Sequence, residues 1–248
     1  IKDKDIQQVI KAYLHKDKYK IIIDRDDNIE IFADLQGLLP LAQNEGEKAL
    51  LHSILGELYV NYYSLDRWKV NRRTGLSDIV PDDMKEWSTN IFVNKATENL
   101  DASIKNADIL HRLTTKEYAD IILLGNDSEK YYPTLYDFMM NRAIQTAKLL
   151  PTHEGNYIYL NDTGLTIDQL SVPADEYVKL AIPQQQSNMV LKYYQQYFTD
   201  LLARNMLSSV ILTELDKANY MGNLSYEFQN NKSDFLKKLQ SKYQDNNT

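Results

Sequence analysis

Asn44-Glu45-Gly46-Glu47-Lys48-Ala49-Leu50-Leu51-His52-Ser53-Ile54-Leu55-Gly56-Glu57-Leu58-Tyr59-Val60-Asn61-Tyr62 is the stretch on which the fold turns. Its apolar residues Leu51, Ile54, Leu55, Leu58, Tyr59 and Tyr62 recur at i, i+3, i+4, i+7, i+8 and i+11, one face of an α-helix. Asn44 and Glu47 supply its start signal, a capping side chain followed three residues later by a carboxylate.

Working outward, the same period returns along most of the chain. It predicts a helix from Lys4 to about His15 and another through Ile31, Leu35, Leu38 and Leu39, with Asp27 and Glu30 at capping-box spacing. Pro81 to Trp87 reads as a short helix, and Ser88 as the cap of one reaching about Asn106. Thr114 and Glu117 form a capping box ahead of Tyr118, Ile121 and Ile122. Pro133 fits a first helical position, with Leu135, Phe138, Met139, Arg142 and Ala143 following on one side. Further helices are predicted for Ser187 to Ala203, Leu207 to Tyr220 and Ser233 to Tyr243. Between Pro151 and Gln186 the texture changes to three prolines, two glycines and an alternating Tyr157-Ile158-Tyr159-Leu160. That segment reads as an extended strap, holding any β content and one small helix from Ala174 to Leu180. It carries more apolar side chains than a free linker tolerates, so it is expected to fold back on the helices and join both halves.

Composition agrees. The 8 Gly and 6 Pro make up under 6% of 248 residues, against a usual total of roughly 12%. A sandwich or barrel of many short strands needs more turn residues than that. The expected fold class is all-α, an irregular TPR-like array of antiparallel helix pairs with an extended strap near residues 151–186. It reads as a single helical-repeat domain over 1–248, with helical parts 1–150 and 187–248, cut from a larger protein.

Several chemistries find no footing. With no Cys, thiol nucleophiles, zinc ribbons and iron–sulfur ligation are out. A net charge of −7 opposes a general nucleic-acid or anionic-membrane surface, and the apolar runs are too short to span a bilayer. Asp24, Asp26 and Asn28 match the first ligands of a calcium loop, but Ile29 replaces the required glycine and Leu35 the closing carboxylate. A solvated turn accounts for them better. His15, His52, His111 and His153 form no metal-ligand spacing, and neither a serine nucleophile elbow nor a phosphate-binding glycine loop is present. Carboxylate pairs such as Asp82-Asp83 read as caps and solvated helix faces. No catalytic, cofactor or metal residue is assigned, and the chain is read as a non-enzyme and a monomer.

The 18 tyrosines invite a question about surfaces. Tyr59 and Tyr62 fit the apolar stripe, so core packing explains them. Adjacent pairs such as Tyr62/Tyr63 and Tyr193/Tyr194 cannot both face one core, which leaves one member of each to face out. Tyr63, Trp68, Trp87 and Tyr194 are the candidate interaction surface.

Two blocks go beyond composition. Leu51-His52-Ser53-Ile54-Leu55-Gly56-Glu57-Leu58-Tyr59-Val60-Asn61-Tyr62-Tyr63, followed by Asp66-Arg67-Trp68-Lys69-Val70, resembles a stretch near the N-terminus of alpha-2-macroglobulin-like proteins of Bacteroidetes. Pro133-Thr134-Leu135-Tyr136-Asp137-Phe138, with Asn141-Arg142-Ala143, resembles a second hallmark of that region. The resemblance implies a periplasmic or outer-membrane-associated parent that traps proteases, in which this segment is a non-catalytic scaffold. Its partners would be other domains of the parent chain or an envelope protein. No functional residue carries over, because the family's Cys-x-Glu-Gln thioester motif needs a Cys. A glycan-binding helical-repeat module of an outer-membrane uptake system is the alternative, favoured if Trp68, Trp87 and Tyr side chains form an exposed ladder. Arg67 and Arg142 sit beside apolar stripes in the two blocks, and at least one is expected to be partly buried against a carboxylate.

Overall fold

Twelve α-helices and no strand run through the described residues of a computed structural model, which are 7–13, 29–73, 80–123, 125–152 and 154–244. The all-α reading therefore holds. The chain divides into two compact units, Ile1–Gly155 and Asn156–Thr248.

The first unit is organised around α3 (Glu45–Val70), preceded by α1 (7–13) and α2 (Glu30–Leu38). Asn44 Oδ1 accepts the N–H of Glu47 at 2.9 Å, the cap its spacing predicted. Leu51, Ile54, Leu55 and Tyr59 are buried, and Leu58 and Tyr62 lie at the margin of the stripe. α4 (Thr89–Ile104) runs antiparallel to α3. Near one end His52 Nδ1 lies 2.9 Å from Asn99 Oδ1, and at the other Thr89 Oγ1 donates to Asn71 Oδ1 at 3.0 Å. The one-turn helices α5 (Ala107–Leu110) and α6 (Ser128–Tyr131) lead to α7 (Leu135–Ala147). Arg142 of α7 donates through Nε to Ser53 Oγ at 3.0 Å and through Nη2 to the Glu57 carboxylate. This is the partly buried arginine–carboxylate pair expected of at least one of Arg67 and Arg142. Phe32, Tyr59, Tyr62, Tyr63, Trp87 and Phe92 form one aromatic cluster, with Phe32 and Tyr59 centroids 4.7 Å apart.

In the second unit, α8 (Ile167–Leu170) and α9 (Ala174–Tyr177) lie within the strap. They are followed by α10 (Met189–Ala203), α11 (Leu207–Leu224) and α12 (Tyr226–Tyr243). The strap is ordered against those helices. Leu170, Ala174 and Tyr177 are wholly buried, Tyr177 Oη donates to Leu191 O at 3.1 Å, and Gln195 Nε2 donates to Leu180 O at 2.8 Å. Asn205, at φ 55°, turns the chain between α10 and α11, a left-handed conformation that asparagine tolerates. Ser225 alone separates α11 from α12 and caps the latter, its Oγ accepting from Phe228 N at 3.3 Å.

Some local expectations are corrected. The strap holds no strand among its described residues: Tyr157 to Tyr159 are irregular and Leu160–Thr163 form a 3₁₀ turn. An isolated bridge joins Thr114 and Thr134 instead. The capping box at Thr114 and Glu117 is present but opens only the 3₁₀ turn Thr115–Tyr118, with Ile121 and Ile122 outside it. Pro133 is not the first helical residue. Thr134 is the cap, forming a box with Asp137, so the proline stands just outside the helix. α12 starts at Tyr226 rather than Ser233, because the Ser225 cap carries a polar turn that lacks an apolar stripe. The expected helix start at Asp27 and the pseudo-calcium residues Asp24, Asp26 and Asn28 lie outside the described residues.

Candidate functional site

The end of α3 is where a named surface residue meets solvent. Trp68 is 71% exposed and Leu65, one turn earlier, 64%. The Arg72 guanidinium lies over the Trp68 ring, Cζ 4.0 Å from the centroid. What holds this end in place is the backbone of Gly155, whose carbonyl accepts from Arg67 Nη2 at 2.8 Å. Gly155 has φ +81°, and any Cβ there would strike the Asn71 amide. Asn71 Oδ1 also accepts from Tyr63 Oη at 2.9 Å, so one side chain ties α3, α4 and the Gly155 turn together. Lys69 pairs with Asp66 at 3.3 Å, and Arg73 Nη1 donates to Trp87 O at 3.0 Å.

The other three proposed surface residues are interior, which corrects that expectation. Tyr63 is 3% exposed because its hydroxyl reaches Asn71 from inside the α3–α4 seam. Burial pushes its hydroxyl pKa above the usual tyrosine value. Trp87 is 8% exposed, stacked on Tyr59 at 5.8 Å, with Nε1 donating to Pro81 O at 2.7 Å. Tyr194 belongs to the second unit and is wholly buried, its hydroxyl donating to Asp216 Oδ2 at 2.8 Å. In each case a polar partner at the edge of the core satisfies the one polar atom, so the ring can sit inside. Of the four, Trp68 is the one on the surface, with Leu65 and Arg72 exposed near it in sequence. Asn61, Leu65 and Trp68 are exposed along α3, which kinks at Asp66, and Arg72 is exposed in the turn that follows it.

A second polar constellation sits in the core of the other unit. Lys217 and Glu214 of α11 are one turn apart and fully buried. Glu214 Oε1 accepts the N–H of Ala174, the first residue of α9, and Lys217 Nζ donates to Val172 O at 2.6 Å. The ammonium also lies 4.4 Å from the Tyr177 ring centroid and 5.5 Å from those of Phe198 and Phe235. Loss of water pushes the Glu214 pKa up and the Lys217 pKa down, and each charge opposes the other's shift. These groups pin the strap to α11. Sequence reasoning missed them, since an i, i+3 Glu–Lys pair ordinarily marks a solvated face.

Elsewhere, the His111 ring packs at a tilt against Tyr136, centroids 4.4 Å apart, and His15 and His153 lie outside the described residues. Among the described residues no three His, Asp or Glu side chains gather as a metal would require. None of the helices searched there is long and apolar enough to cross a membrane. In comparisons with protein-family models, curated proteins and solved structures, nothing matches this chain.

Proposed function

We propose that the chain is a non-catalytic helical scaffold and protein-interaction module, drawn from the N-terminal part of a bacterial alpha-2-macroglobulin-like envelope protein. The observation that carries the interaction role is Trp68, a large aromatic exposed to water at the end of α3 and overlain by the Arg72 guanidinium. Trp and Arg are the side chains most enriched where protein interfaces concentrate their binding energy. Support for the scaffold role comes from where the polar groups are spent. Arg142–Glu57, Asn71 and Glu214–Lys217 each tie one element to another. Antiparallel packing of α3 on α4, and the tight turns joining α10, α11 and α12, support a TPR-like arrangement within each unit. The sequence blocks support the macroglobulin parentage and, through it, a periplasmic or outer-membrane-associated location.

The glycan-binding alternative asked for an exposed aromatic ladder. With Trp87, Tyr63 and Tyr194 buried, the protein reading is favoured. Two measurements test it. The genomic reading frame should encode β-sandwich domains and a Cys-x-Glu-Gln motif beyond this segment; a frame without them overturns the parentage. Photo-crosslinkers at exposed positions of both units, in the full gene product in its native cells, should trap protein. Adducts confined to polysaccharide would overturn the interaction role.

A further inference from the structure

We infer that the Leu65–Trp68–Arg72 ledge binds an acidic peptide segment in which carboxylates flank an apolar side chain; this rests on the protein-interaction reading and names the partner's chemistry. The charge pattern is the first ground. Residues 66–73 hold Arg67, Lys69, Arg72 and Arg73 against Asp66 alone, a local excess of positive charge in a chain whose net charge is −7. Three of those cations are already committed, Arg67 to Gly155 O, Arg73 to Trp87 O and Lys69 to Asp66. Arg72 is exposed and, among the described residues, its guanidinium meets the Trp68 ring rather than a carboxylate. Its planar fork can take a carboxylate by two parallel hydrogen bonds.

The second ground is shape. Stacking on Trp68 already restricts Arg72, so less side-chain freedom is lost when a carboxylate docks. Leu65 and Trp68, three residues apart across the kink at Asp66, are both exposed apolar side chains, and Arg72 in the turn after α3 lies against the Trp68 ring. An inorganic anion would use the charge and waste the apolar side chains, and a neutral sugar would use the ring and waste the charge. A nucleic acid or an anionic membrane meets a chain whose net charge is −7. An acidic–apolar peptide uses all three side chains.

Trp68 serves as its own reporter, because Trp87, the other tryptophan, is buried. The probe is the peptide acetyl-Gly-Glu-Leu-Glu-Phe-Gly-amide, titrated against the intact chain while tryptophan emission is followed. Saturable quenching is expected, weakening as salt rises. Arg72→Gln and Trp68→Ala should each weaken binding about 10-fold or more. Both side chains are exposed, and an unchanged circular dichroism spectrum shows that each variant is folded. Arg72→Glu should lose the acidic peptide and gain its counterpart carrying Lys at the two Glu positions. The inference is overturned if the wild-type chain ignores the peptide at millimolar concentration. Equal binding of a peptide with Gln at both Glu positions also overturns it, as does oligogalacturonate binding where the peptide does not. Failure here alongside protein adducts at other positions in the crosslinking experiment would leave the scaffold reading standing without this ledge.

Discussion

Lys217 Nζ lies 3.0 Å from Glu214 Oε2 with neither side chain exposed to water. Taking two charges out of water costs several kcal/mol per ion, which their attraction offsets only when the remaining hydrogen-bonding capacity is also met. Here Val172 O and the aromatic faces of Tyr177, Phe198 and Phe235 serve the ammonium, and Ala174 N–H serves the carboxylate. The hydrogen-bonding partners of both groups outside α11, Val172 O and Ala174 N–H, come from the strap at the start of α9. The pair therefore decides where the strap lies, and its removal one charge at a time should be costly.

Lys217→Met is expected to destabilise the second unit by about 3–5 kcal/mol, because Glu214 is left as an uncompensated buried charge. Glu214→Gln combined with Lys217→Met should recover most of that loss, since an amide oxygen can still accept from Ala174 N–H. Urea denaturation followed by far-ultraviolet circular dichroism gives the energies, and hydrogen exchange at the Ala174 amide reports the strap. A single variant within about 1 kcal/mol of wild type would show that the pair does not hold the strap.

Tyr118 supplies a pH dependence. Its hydroxyl donates to Asn44 Oδ1 at 3.1 Å, and burial lifts its pKa from the ordinary 10.0 to about 12, with Glu117 and Glu47 adding to the rise. The folded form thus keeps its proton where the unfolded form loses it. The contribution is complete below pH 10 and is lost progressively as pH rises from there to about 12. Tyr118→Phe should flatten the fall in stability over that window relative to wild type. Parallel curves for the two proteins would count against the assignment.

Two glycines with positive φ should respond differently to alanine. At Gly164, φ +67°, an added Cβ meets Pro183 Cγ at an ordinary 3.7 Å, so Gly164→Ala carries the left-handed backbone cost of about 1–2 kcal/mol alone. Gly155→Ala carries that cost and a collision with Asn71. Thermal unfolding should rank Gly155→Ala as the worse of the two, with Trp68 emission altered as the end of α3 loosens. An equal effect would mean that the turn at Gly155 yields without disturbing Asn71.

The two cap positions ahead of α4 and α7 also separate. Thr134 Oγ1 donates to Asp137 Oδ2 at 2.6 Å and accepts from Asp137 N at 3.3 Å, whereas Ser88 makes no side-chain capping bond. Thr134→Ala should cost about 1 kcal/mol, and Ser88→Ala clearly less. Chemical denaturation of both variants checks the order, and a reversed ranking would refute the capping assignment.

Much of the helical pattern was legible because its signals are local. The stripe from Leu51 to Tyr59 and the Asn44 cap act over a few residues, within reach of a single chain segment. Where local signals misled, a neighbour outweighed them. Thr114 and Glu117 form their box, yet the chain leaves the helix after Tyr118, whose hydroxyl is drawn to Asn44 across 74 residues. The surface was the least legible part. Adjacent tyrosines were expected to turn one ring outward, yet Tyr62 and Tyr63 both reach Phe92 of α4, and only the packing of that helix against α3 decides this.

By itself, then, the amino-acid order determined an α-helical chain with a Gly- and Pro-bearing strap and a composition without thiol chemistry, and it pointed to a carboxylate partner for at least one of Arg67 and Arg142. Periodicity and capping are properties of neighbours along the chain, and they do not depend on what lies across the core. Tertiary structure alone decided that Trp68 faces water while Trp87 and Tyr194 do not, and that Glu214 and Lys217 turn inward to grip Ala174 and Val172. Those contacts join positions 40 and 45 residues apart. The i, i+3 spacing of the two charges is the same on a solvated face as in a core, and only the arrival of the strap distinguishes the two.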